Sequence, residues 1–129
     1  MKFKITITEE VINHSKMCGT PGFEHIKIAA NCALAYAINQ LIPFTSVALT
    51  CIFFFDNDRC ERGRSNLNNE AQSIMMKFDG FRSMPERRYE LIGESCEIDI
   101  PDEVIEYWHQ NAVIAVQKLI DNPILQPIS

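Results

Sequence analysis

The sequence predicts an α+β fold, a single domain with a mixed or antiparallel sheet packed against a buried central helix and an amphipathic C-terminal helix. Three observations lead there. Residues 2–8 alternate between apolar and polar. Residues 26–42 have helical spacing but almost no polar face. Strand and helix signals follow one another as β-α-α-β-α-β-β-α, which is not the order of a doubly wound sheet.

In the first strand Phe3, Ile5 and Ile7 share one face and Lys2, Lys4 and Thr6 the other, the period of a half-buried strand. Thr8 can cap the following helix, expected over 9–17, with Glu9 and Glu10 in its first turn and Gly19 just beyond its end. A loop with Pro21 and Gly22 leads into Ile26–Ile42, where five alanines lie among Ile28, Leu34, Ile38, Leu41 and Ile42. A helix apolar all round belongs inside the protein, and Pro43 ends it.

Residues 45–55, TSVALTCIFFF, are apolar on both faces and predict a central strand covered on both sides. Asp56-Asn57-Asp58 is a turn, and polar residues 59–66 read as an exposed loop. Asn68 or Asn69 caps a helix to about Phe78, with Ala71, Ile74, Met75 and Phe78 as its stripe. Residues 81–88 read as a second loop, and 88–92 and 96–100 as strands flanking a Gly93-Glu94 turn. Pro101, at a helix N1 position, opens the last helix, expected to Asp121 with Ile105, Trp108, Ala112, Ala115, Val116 and Leu119 inward.

The net charge of −5 conceals a segregation. Residues 59–88 hold all six arginines (Arg59, Arg62, Arg64, Arg82, Arg87 and Arg88) and Lys77 against four acids, whereas residues 89–129 hold Lys118 against eight. An acidic whole speaks against direct binding of duplex nucleic acid. No apolar run reaches the ~20 residues of a membrane span, and the N-terminal stretch has no signal-peptide core, so a cytoplasmic location is expected. Arginine used without lysine suits bidentate contact with phosphate or carboxylate. The six arginines, on two loops flanking one short helix, are the candidate surface for an anionic small molecule or an acidic face of a partner protein. Solvated loop charge is the alternative.

Glycine cradles and metalloprotease signatures are absent, and no cofactor or metal is expected. Cys32 is the candidate nucleophile of a cysteine hydrolase, although a helix starting near His25 or Ile26 would bury it as a packed thiol two turns in. His14, Cys18, His25 and Cys32 are close enough in sequence for a zinc site, without a known spacing. Asp56/Asp58 and Asp99/Asp102 are read as turn and helix caps rather than acid–base pairs.

The blocks KFKITITEEVINHSKMCGT, ANCALAYAINQLIP, EAQSIMMKFDGF and SCEIDIPDEVIEYW, in this order, resemble a group of small proteins from phages and prophages of gut Bacteroidetes. The resemblance implies context rather than residue roles: a phage-type accessory protein in the host-cell cytoplasm. Such proteins include anti-defence factors that bind a host protein or sequester an anionic nucleotide signal. The expected function is therefore binding through the arginine loops, compatible with a homo-oligomer. The rivals are a hydrolase using Cys32 and a structural or assembly protein of a phage particle.

Overall fold

The computed structural model describes residues 1–15, 32–48, 50–81, 83–111 and 122–128. Among them the fold is α+β as expected, but the strands form two antiparallel sheets of three rather than one. The first is organised on β1 (Lys2–Thr6), which lies between β5 (Ser95–Asp99) and β6 (Leu125–Pro127). Opposite β1, Phe3 faces Ile98 and Ile5 faces Cys96, while on the other edge Ile5 faces Leu125. These side chains are buried, so the period-2 pattern directs one face of the sheet into the core. The apolar tail thus supplies a strand that its short, proline-containing sequence does not advertise. The expected hairpin across Gly93-Glu94 is replaced by pairing of β5 with β1.

Thr8 caps α1 (Glu9–His14), its hydroxyl oxygen accepting the Val11 amide at 3.3 Å. The helix stops at Ser15, earlier than expected, where the backbone turns extended. The single helix expected over 26–42 is corrected as well. Cys32 is extended and precedes α2 (Ala33–Asn39), so no continuous helix passes through it. Residues 26–31 lie outside the described residues. Within α2, Ala33, Leu34, Ala35, Ala37 and Ile38 are all buried, as an all-round apolar pattern requires. Asn39 then clamps the exit: its Oδ1 accepts the Thr45 amide and its amide nitrogen donates to the Thr45 carbonyl.

The second sheet corrects the long strand 45–55. Its residues form β2 (Ser46–Val47) and β3 (Cys51–Phe55), which pair with each other in a hairpin. β3 is central, as expected, but only Ile52 and Phe54 are buried, while Cys51, Phe53 and Phe55 are half-exposed. The third strand, β4 (Glu61–Asn66), takes the place of the expected loop. A bulge opposite Phe54/Phe55 leaves Arg62 as the extra residue. Asn68 caps α3 (Asn69–Gly80), accepting the Ala71 amide at 2.9 Å and donating to the Glu97 carbonyl of β5. The stripe Ala71, Ile74, Met75 and Phe78 is buried as expected.

Residues 85–91 are neither loop nor strand but a 3-10 helix (Pro85–Leu91), packed on α1 and α3. The last described helix, α4 (Asp102–Asn111), lies on β4. Its core contacts come from Val104 and Trp108, with Ile105 only half-buried; Ala112, Ala115, Val116 and Leu119 lie outside the described residues. No helix among the described residues is long and apolar enough to cross a membrane.

Gly63 lets α4 approach. A Cβ there would sit 3.2 Å from Val104 Cγ2 and 3.3 Å from Pro101 Cγ. Gly63→Val is expected to destabilise by about 1–3 kcal/mol through overpacking. Adding Val104→Ala should recover part of that loss, because residues in contact couple. Urea melts of the two single variants and the double variant check it; strictly additive losses would place the strain elsewhere.

Candidate functional site

The five described arginines share one device. Each guanidinium carbon lies over an aromatic ring, 4.0–5.0 Å from its centroid: Arg59 on Phe44, Arg62 on Tyr107, Arg64 on Phe53, Arg87 on Phe81 and Arg88 on Phe78. Such contacts contribute roughly 0.5–1 kcal/mol when exposed and more when desolvated. Arg82 lies outside the described residues.

Their charges are handled differently. Arg62 Nε donates to the buried Asp56 carboxylate at 2.8 Å. Arg64 pairs with Glu61 and Arg87 with Glu90, both at i,i+3. Arg59 and Arg88 have no carboxylate within ion-pair distance among the described residues. The described arginines therefore do not form one open basic surface on two loops. Arg62 and Arg64 stand on β4, and Arg87 and Arg88 on the 3-10 helix.

Arg88 is the exception in burial, at 8% exposure, where the loop reading had it in solvent. Its Nε and Nη2 are buried and, among the described residues, find no hydrogen-bond acceptor. Burial lowers its pKa, against the opposing effect of the Asp79 charge. Arginine nonetheless stays a cation at neutral pH. The reason for its position is the three-residue period of the 3-10 helix. Pro85, Arg88 and Leu91 fall on one ridge, of which Arg88 and Leu91 are buried; Glu86 and Tyr89 fall on the next. Arg87 and Glu90 form the third, where they pair in solvent.

A cavity of about 250 Å³ opens between this helix and the C-terminal end of α1. Ile12, Asn13 and Ser15 line one side, and Pro85, Glu86, Arg88 and Tyr89 the other. The Tyr89 hydroxyl donates to Asn13 Oδ1, tying the two walls together. The Ser15 hydroxyl is occupied by the Val11 carbonyl. What remains is a cationic group out of water beside a small, mixed-polarity space. Of the lining residues only Arg88 was singled out by sequence. A signal for Pro85, Glu86 and Tyr89 lay in PERRYEL, a proline-started segment that can be read with period three; Ile12, Asn13 and Ser15 carried none.

Cys32 sits at the N-cap position immediately before α2, 5% exposed, and its side chain does not cap the helix. It is thus at a helix start rather than two turns in, and buried as the packed-thiol reading has it. His14 stacks on Tyr36 with ring centroids 5.5 Å apart. His109 lies in the last turn of α4. Cys18 and His25, half of the zinc candidate, lie outside the described residues. Among the described residues no three His, Cys, Asp or Glu side chains gather as metal ligands. Cys96 is a buried thiol, its pKa pushed up to about 12 by burial and, secondarily, by the Glu70 charge.

Asp56 is a turn cap. Its Oδ1 accepts the Asp58 and Cys60 amides at 2.8 and 2.9 Å. The Cys60 amide is the largest influence lowering its pKa, burial opposes it, and Arg62 and the Asp58 amide add to the lowering. A depressed carboxyl stabilises the fold above its unfolded pKa, about 3.9, and loses that contribution as pH falls through the lower folded value. Asp56→Asn keeps the Oδ1 acceptor and removes the charge. Its urea midpoint should fall below that of the wild type at pH 7, and the gap should narrow at pH 3. An equal gap at both values would show that the charge is not what matters.

The chain matches no protein-family model, no curated protein and no solved structure.

Proposed function

We propose that the protein is a non-enzymatic binding protein that captures an anionic group on Arg88, in the cavity between α1 and the 3-10 helix. One observation carries this reading: Arg88 is buried, lines the cavity and has two guanidinium nitrogens without an acceptor among the described residues. An ion held out of water, with no ion pair among the described residues and only the Asp79 charge acting on it, costs several kcal/mol. A carboxylate or phosphate entering the cavity would offset part of that cost by setting a negative charge beside the guanidinium. Arg62, Arg64 and Arg87 support the reading less, because each is already matched by a carboxylate. Arg59 keeps a supporting role as an exposed cation. The phage-type accessory role, with anti-defence action by binding, belongs to this proposal as its context. The cavity, at about 250 Å³, falls below the roughly 300–1,000 Å³ of sites for drug-sized ligands, which favours a small anion or a single acidic group over a whole nucleotide.

The test is Arg88→Met, which keeps the volume and the contact with Phe78 while removing the charge. The variant is expected to be as stable as the wild type or more so, by up to about 4 kcal/mol, since an apolar replacement relieves an uncompensated ion. Acetate or phosphate, at ionic strength matched with chloride, should raise the melting temperature of the wild type and not of the variant. A strongly destabilised variant, or a wild type indifferent to both anions, would overturn the reading.

A further inference from the structure

The cavity holds a second charge. Glu86 stands on the ridge of the 3-10 helix next to that of Arg88, and both line the same space. Neither forms an ion pair with the other or with any other described residue. Arg87, the neighbouring cation, is committed to Glu90. A carboxylate and a buried guanidinium that share a cavity without meeting leave room for something between them.

The opposite wall has a matching polarity. It is the C-terminal end of α1, and helix C-termini present carbonyl oxygens and favour cations. Asn13 offers its side-chain amide, since its Oδ1 is the atom taken by Tyr89. Ile12 and Pro85 supply the apolar lining. A doubly charged phosphate would gain Arg88 and suffer repulsion from Glu86 and the helix end. A simple carboxylate would leave Glu86 unmatched.

We infer that the site takes a free α-amino acid with an apolar side chain, its carboxylate on Arg88 and its ammonium toward Glu86 and the end of α1. The inference rests on the Arg88 reading above and adds the cation-binding half. No covalent step is involved. Selectivity for a zwitterion over a simple anion comes from the two opposite charges that line the one space.

Calorimetric titration of the full chain with four probes separates the possibilities: L-valine, isovalerate (the same carbon skeleton without the amine), isobutylamine (without the carboxylate) and inorganic phosphate. Valine should bind at least tenfold more tightly than any of the other three. Arg88→Met should abolish valine binding. Glu86→Gln, a substitution at an exposed position, should bring valine down to the level of isovalerate. If isovalerate or phosphate binds the wild type as well as valine does, and Arg88→Met removes that binding, the zwitterion inference falls and the Arg88 reading stands. Undiminished valine binding by Glu86→Gln overturns the inference likewise. If no probe binds the wild type, both fall.

Discussion

Arginine placed over aromatic rings recurs at the junctions of this fold, around the hydrophobic core that its elements share. Each pair spans a junction: Arg62 and Tyr107 link β4 to α4, Arg64 and Phe53 link β4 to β3, and Arg88 and Phe78 link the 3-10 helix to α3. Arg59 over Phe44 joins the turn before β4 to the exit of α2, and both residues have positive φ, 65° and 60°. Non-glycine residues in that region carry strain, which the surrounding contacts must hold. Arginine suits these junctions better than lysine, because a planar, weakly hydrated guanidinium can lie on a ring and still donate at its edge.

The same device has two outcomes, set by where the edge points. For Arg62, Arg64 and Arg87 the edge meets a carboxylate, and the residue is satisfied within the fold. The ridge position of Arg88 turns it inward, where it keeps the ring and loses water. A three-residue helical period decides between Arg87 and Arg88, adjacent in sequence and opposite in circumstance. Function on this account comes from one arginine left incomplete, rather than from the arginine-rich composition as such.

Much of the fold was legible in the sequence. The alternation of Phe3, Ile5 and Ile7, the Asn68 cap and the all-round apolar character of Leu34 to Ile38 each reflect a local rule that the tertiary structure obeys. The misses have physical reasons. Residues 45–55 contain no glycine, proline or asparagine, so the apolar run gave no sign of a break between β2 and β3. β4 lacks alternation because a bulge interrupts it and Gly63 has no side chain to bury. Residues 88–92 alternate over too short a stretch to separate a strand from a 3-10 helix begun at Pro85. For the site, the grouping of arginines was visible, but the features that distinguish them were not. Their rings include Phe44, Phe53 and Tyr107, remote in sequence, and the wall opposite Arg88 comes from α1.

The central claim is that Arg88 alone among the described arginines awaits an anion in a buried place. Nitrogen-15 NMR of the arginine Nε–H groups during an acetate titration tests this most directly, because each guanidinium reports separately. The account predicts a saturable shift of the Arg88 Nε–H resonance, while those of Arg62, Arg64 and Arg87 stay in place. An unmoved Arg88 signal, or equal drift of all the arginines with added salt, would contradict it.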